Sequence, residues 1–120
     1  MSELVATISR VYGPGDSLLL QHTVVDSNGD AVDITGWTLR FGLARTRGGT
    51  VLVGTELSPA TATASITNDT GGVFTIAIAK TVSDDLTGDY YFKTEGQDGS
   101  GYVSTLAHGW QTFPVTLTLT

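Results

Sequence analysis

Trp37-Thr38-Leu39-Arg40-Phe41-Gly42-Leu43 alternates apolar and polar residues without a break. Successive side chains of an extended chain point to opposite faces. Trp37, Leu39, Phe41 and Leu43 therefore share one face, and Thr38, Arg40 and Gly42 the other. A helix would scatter the same residues around its axis. The stretch predicts a half-buried β-strand that Trp37 opens on the inward side.

The same alternation recurs on either side. Phe74, Ile76 and Ile78 alternate with Thr75 and Ala77, and Ala62, Ala64 and Ile66 with Thr61, Thr63 and Ser65. Val115, Leu117 and Leu119 alternate with Thr116 and Thr118, and Val51 and Val53 are expected to face inward together. Extended along the chain, the pattern predicts nine strands, at 3–11, 17–25, 37–44, 50–57, 61–67, 73–79, 89–96, 102–107 and 113–119. Turn-forming residues separate most of them: Gly13-Pro14-Gly15-Asp16, Asp26-Ser27-Asn28-Gly29-Asp30, Arg47-Gly48-Gly49, Asn68-Asp69-Thr70-Gly71-Gly72 and Asp98-Gly99-Ser100-Gly101. Asn28-Gly29 is the strongest hairpin signal, because both residues tolerate positive φ. One helical turn is expected over Thr81 to Leu86, capped by Ser83, favoured by Asp84 and Asp85 near its N-terminus and ended by Gly88.

Many short strands with turns every 8–12 residues describe an all-β sandwich or barrel. Two details favour an immunoglobulin-like antiparallel β-sandwich of eight to nine strands. Trp37 stands where such folds bury a tryptophan at the start of the third strand. Asp85-Leu86-Thr87-Gly88-Asp89-Tyr90-Tyr91-Phe92 has the form of a tyrosine corner, with a tyrosine opening a late strand just after a turn. Residues 1–120 are read as one domain, with extended arms at 1–12 and 113–120.

Several stretches resemble a recurring phage pattern: Gly15-Asp16-Ser17, Val25-Asp26-Ser27-Asn28-Gly29-Asp30-Ala31-Val32-Asp33-Ile34-Thr35-Gly36-Trp37, Gly72-Val73-Phe74-Thr75-Ile76 and Leu86-Thr87-Gly88-Asp89-Tyr90-Tyr91-Phe92. With Asp98-Gly99-Ser100-Gly101-Tyr102-Val103-Ser104-Thr105, the likeness spans about residues 13–115. The chain is similar to the N-terminal domain of the phage baseplate upper protein family. That resemblance implies an immunoglobulin-like fold and a place in a virion. Family members carry this domain at the head of a longer protein, whereas this sequence ends at Thr120. A head decoration or cement role suits it as well as a tail or baseplate one.

Charge narrows the partners. Six basic and twelve acidic residues among 120 give a formal net charge of −6. The basic residues are Arg10, Arg40, Arg45, Arg47, Lys80 and Lys93, and only Arg45 and Arg47 are close in sequence. Nucleic-acid binding needs clustered cations, so no nucleic-acid partner is expected. No apolar run approaches the ~20 residues of a membrane span, and the first ten residues lack a signal-peptide pattern. No membrane association and no export are expected. Cysteine is absent, which excludes disulfides and thiolate metal sites.

Chemistry is sparse. His22 shares strand phase with Leu18, Leu20 and Val24, which makes it a hydrogen-bonded histidine at the core's edge. His108 lies beside Gly109 and Trp110 at an expected corner between strands. Neither stands in a nucleophile motif, and no catalytic residues or cofactor are assigned. Asp26, Asn28, Asp30 and Asp33 have the alternating oxygen spacing of a calcium loop. Ala31 and Trp37 stand where the helix-loop-helix version needs Gly and Glu, so a plain turn is the favoured reading.

The aromatic residues carry the functional expectation. Tyr90 and Phe92 should face one way and Tyr91 the other. Core closure near the last hairpin is the favoured reading of Trp110, Phe113, Tyr102 and His108; the functional one is an apolar patch that anchors a protein interface. Tyr91 and the alternating Leu117 and Leu119 complete the interface candidates. The expected protein is a non-enzymatic virion module, decoration or tail-associated, acting through contacts with other capsid or tail proteins. It would assemble as a homo-oligomer, with a trimer as the working symmetry. The alternative is a carbohydrate-binding sandwich for host-surface glycans, with Trp37, Tyr91 or Trp110 stacking on sugar rings.

Overall fold

The computed structural model describes residues 4–12, 18–83 and 85–113. Its strands are β1 (Val5–Tyr12), β2 (Leu18–Val25), β3 (Thr38–Ala44), β4 (Val51–Gly54), β5 (Ala62–Asn68), β6 (Val73–Ile78), β7 (Gly88–Gln97) and β8 (Val103–Phe113). One short helix, α1 (Lys80–Ser83), lies between β6 and β7. The strands form two four-stranded antiparallel sheets, ordered β1-β2-β6-β5 and β4-β3-β7-β8. The fold is an all-β sandwich.

Alternation along the strands builds the core. Leu39, Phe41 and Leu43 of β3 are buried, as the phase of that strand predicts. The facing sheet contributes Leu18 and Val24 from β2, Phe74, Ile76 and Ile78 from β6, and Ala62 from β5. Phe74, Ile76 and Ile78 have no exposed surface at all. Each such side chain contributes about 1.5–3 kcal/mol by leaving water. Ile34, also fully buried, plugs the core from the segment that crosses between the sheets. Its amide donates to Asp69 O at 2.9 Å, which satisfies the buried backbone there. Trp37 immediately precedes β3 and is half-buried over Gly96. A Cβ on Gly96 would lie 2.9 Å from the indole Cε3, so the missing side chain is the indole's seat.

His22 is the one buried imidazole among the described residues, and its exposure is 0%. Its ring stacks on Phe74 with centroids 4.5 Å apart. Nδ1 lies 3.1 Å from Leu20 O and Nε2 3.1 Å from Thr94 Oγ1. A carbonyl only accepts, so Nδ1 carries the proton and Nε2 accepts from the threonine hydroxyl. Desolvation in the core lowers the imidazole pKa from 6.5 to about 4, against a smaller opposing effect of the Leu20 carbonyl.

Four expectations are corrected. Residues 108–110 form no corner; a single strand, β8, runs through them from Val103 to Phe113. Val51 faces outward at 42% exposure while Val53 is buried, because a bulge between Leu43 and Ala44 shifts the β3–β4 register. The helix opens at Lys80 and Ser83 is its last residue, so the turn begins ahead of the serine expected to cap it. Residues 5–12 are not an outgoing arm but pair with β2 from Val5↔Val25 to Tyr12↔Leu18. The Gly13-Pro14-Gly15-Asp16 turn, Asp84 and residues 114–120, with Val115, Leu117 and Leu119, lie outside the described residues.

Candidate functional site

Tyr90 is buried at 4% exposure, which by alternation sends Tyr91 to the outer face of the β4-β3-β7-β8 sheet. Residues paired across strands share a face, so the ladder assigns three rows there. Ala44, Tyr91 and Trp110 form the first, Gly42, Lys93 and His108 the second, and Arg40, Glu95 and Thr105 the third. At two residues per step the rows lie about 7 Å apart.

The first row carries an aromatic stack. The Tyr91 and Trp110 rings are 5.5 Å apart and inclined by only 20°. Trp110 is 60% exposed, the largest exposure of any big apolar side chain described. The Tyr91 hydroxyl and His108 Nδ1 share a hydrogen bond of 2.7 Å. The Arg47 guanidinium sits 5.7 Å from the Tyr91 ring centroid, within cation–π reach. Arg47 comes from the Thr46–Gly49 loop, which the Gly49 N to Thr46 O bond of 3.0 Å closes into a turn.

Below the stack lies a groove of about 810 Å³, within the range of about 300–1,000 Å³ usual for small-ligand sites. Its floor is low because Gly42 has no side chain. Val51 leans into that space, with Cγ1 3.1 Å from where a Gly42 Cβ would stand. The far end is set by paired charges. Arg40 Nε donates to Glu56 Oε1 at 2.9 Å and Arg40 Nη2 to Gln97 Oε1. Lys93 and Glu95 stand 3.7 Å apart. Among the lining residues Arg40, Arg47 and Lys93 are cationic and Glu56 and Glu95 acidic, so the groove is net positive in a chain of net charge −6.

The sequence-derived candidates separate. Tyr91, His108 and Trp110 come together. Tyr102 does not join them: it closes the β7–β8 hairpin, where Asp98 Oδ1 accepts its amide at 3.0 Å. Eight extended residues put it about 26 Å from Trp110. Phe113 ends β8 opposite Gly88. Leu117 and Leu119 lie outside the described residues.

The calcium-like run also resolves into local turns. Asp26 Oδ1 accepts the amides of Asn28 and Asp30 at 2.9 and 3.1 Å, an Asx turn with Gly29 at φ 84°. Asp33 instead accepts from the Thr35 hydroxyl and amide, and these bonds hold its carboxyl below the usual range. Among the described residues no group of three or more His, Asp or Glu converges as a metal site would require. The Asn28-Gly29 turn leads to no strand partner; it returns the chain to a lone bridge, Val25↔Ala31.

Sequence reading did not place Arg47, Lys93, Glu95 or the Arg40–Glu56 pair at this face. Period-two counting from Tyr91 reaches Lys93 and Glu95. The loop position of Arg47 and the partners on β3 need the strand order. Comparison with models of known protein families gives no match, and comparison with curated proteins gives none either.

Proposed function

We propose that the protein is a non-enzymatic module of a tailed-phage particle, an immunoglobulin-like sandwich that works by contact. The observation that carries the contact role is the Tyr91–Trp110 stack, open to solvent on the outer face of β4-β3-β7-β8. Exposed tryptophan and tyrosine are the residues whose burial supplies much binding energy at interfaces.

The topology supports the immunoglobulin-like part. In chain order, β1-β2-β6-β5 corresponds to strands A, B, E and D, and β3-β7-β8 to C, F and G, with β4 as an added strand beside C. The inward Tyr90 at the head of β7 and Trp37 at the head of β3 fit the same scheme. The phage setting rests on the resemblance in the turn and strand motifs. The non-enzymatic part is supported by where the imidazoles are: His22 is sealed with Thr94 inside the core, and His108 is tied to a tyrosine hydroxyl.

The test is light scattering of the purified chain together with cosedimentation on phage particles lacking it. A symmetric oligomer that rebinds the particle, with binding weakened by Trp110→Ala, supports the reading. A monomer that ignores the particle overturns it.

One observation favours a second reading of the same face, as a glycan site. The aromatic stack borders a groove lined by hydrogen-bonding pairs already held in place, Arg40–Glu56 and Lys93–Glu95. Sugars present apolar C–H faces to aromatic rings and hydroxyls to planar polar groups, which is the combination found here.

A further inference from the structure

The structure assigns a covalent modification site to Asn28: loss of its side-chain nitrogen as ammonia through ring closure onto Gly29, a reaction held back by the turn that Asp26 caps.

The turns after β2 and after β7 are built alike. In the first, Asp26 N donates to Asp30 O and Gly29 N to Asp26 O, each at 3.0 Å, and Asp26 Oδ1 accepts the amides of Asn28 and Asp30. In the second, Asp98 N donates to Tyr102 O at 3.0 Å and Gly101 N to Asp98 O at 3.1 Å, and Asp98 Oδ1 accepts the amides of Ser100 and Tyr102. Gly29 and Gly101 both take positive φ, 84° and 92°. The residue before that glycine is Asn28 in one turn and Ser100 in the other. The turn therefore does not require asparagine there. The Asn28 side chain makes no hydrogen bond to the described residues and is exposed.

That free side chain stands next to a glycine. No Cβ shields the Gly29 nitrogen, and its backbone rotates easily. Once the Gly29 amide gives up its proton to hydroxide, its nitrogen can attack Asn28 Cγ. A Cγ–N bond forms, the Cγ–Nδ2 bond breaks, and ammonia leaves with a proton from water. Water then opens the cyclic imide at Cγ to give aspartate, or at the main-chain carbonyl to give isoaspartate. Both products add a negative charge, and isoaspartate also lengthens the main chain inside the turn.

The capped turn opposes the first step. Its Gly29 N to Asp26 O bond holds Asn28 at a ψ of about 0°. Ring closure needs a rotation well away from that value, and reacting atoms must be brought close and aligned. The same bond engages the proton that has to leave. The reaction therefore runs from the opened turn, and the two bonds to Asp26 Oδ1 limit how often the turn opens. Asn68, the chain's other asparagine, precedes Asp69, and its Oδ1 is held by the Gly71 amide at 3.1 Å. It serves as an internal reference.

Incubation of the full chain in mildly alkaline buffer tests this, with peptide mapping by mass spectrometry to follow the exchange of NH2 for OH. Asn28 is expected to convert slowly in the folded chain and about tenfold or more faster in urea, with Asn68 lagging in both. Asp26→Ala should move the folded rate toward the unfolded one. Asp26→Asn keeps an Oδ1 acceptor and should hold the rate near that of the native chain. Asp98→Ala loosens the matching turn and should leave Asn28 unchanged, which separates local opening from general loss of stability. Asn28→Ser, taking the residue of the matching turn, should keep the thermal midpoint and abolish the reaction at this position.

Equal rates in folded and unfolded chains overturn the inference. So does an Asp26→Ala rate no faster than the native one, or an Asp98→Ala rate as fast as that of Asp26→Ala. An unfolded chain that leaves Asn28 intact overturns the site itself.

Discussion

His22 of β2 and Thr94 of β7 join the two sheets through a hydrogen bond of 3.1 Å in a place neither residue shares with water. The hydroxyl must donate, because Nδ1 has already given its proton to Leu20 O. Burial in the core disfavours the charged imidazolium, and this makes the sandwich sensitive to acid. The folded pKa is about 4 and the unfolded value 6.5, so between those values the unfolded chain binds more protons. Stability is complete above pH 6.5 and falls as pH drops toward 4, by about 3 kcal/mol in all. Urea midpoints across that window check it, and His22→Leu should flatten the curve. Asp33 and Asp98, whose carboxyls are held low by hydrogen bonds, start to lose their contribution only as pH falls through 3.8, below the histidine window.

Thr94→Val keeps the shape of the side chain and removes the donor. Nε2 of His22 is then buried without a partner, which costs about 1–3 kcal/mol. Thermal or urea unfolding reads the loss. A change under about 0.3 kcal/mol would mean that water reaches the site.

Two glycines with nearly the same backbone angle should respond differently to alanine. Gly72 has φ 72°, and a Cβ there would come within 2.8 Å of the carbonyl oxygens of both Val32 and Val24. Gly48 has φ 76° and open space around it. Gly48→Ala carries only the backbone penalty, about 1–2 kcal/mol. Gly72→Ala adds the displacement of the Val24–Gly72 and Val32–Val24 bonds. It should cost at least twice as much, as measured by unfolding.

Gly96→Ala places a methyl 2.9 Å from the Trp37 ring and 3.1 Å from Leu106 Cδ1. The indole has to lift toward water. In a Trp110→Phe background the remaining tryptophan emission should move to longer wavelength, with a loss of about 1–3 kcal/mol from overpacking. Unshifted emission would mean that Trp37 does not depend on the space above Gly96.

The sandwich was legible because its inward residues obey period two. Leu39, Phe41 and Leu43 face in, and so do Phe74, Ile76 and Ile78, as alternation alone requires. Reading failed where one residue more or less changes the phase. Val51 was expected inward with Val53, and the β3–β4 bulge turns it out. The corner expected at His108-Gly109-Trp110 does not form, because cross-strand pairing with β7 carries the strand straight through. For the site, Tyr91, His108 and Trp110 were visible as aromatic and polar candidates. Their grouping with Tyr102 came from closeness in sequence, which a strand converts into distance. Arg47 reaches this face from a loop folding back over Tyr91 of β7, and no local pattern encodes that.

The bulge between Thr94 and Glu95 gives β8 one residue more than the strand it pairs with: Ala107 stands opposite Thr94 and Thr105 opposite Glu95, which leaves Leu106 over. That surplus residue is 2% exposed and fills the core beside Gly96. Removing it would hollow the interior yet leave Thr105, His108 and Trp110 facing the same way, since their partners on β7 would not change. Core filling and the make-up of the outer face are thus written into the same strand as separate variables. Such a strand can exchange its outward residues without retuning the packing beneath.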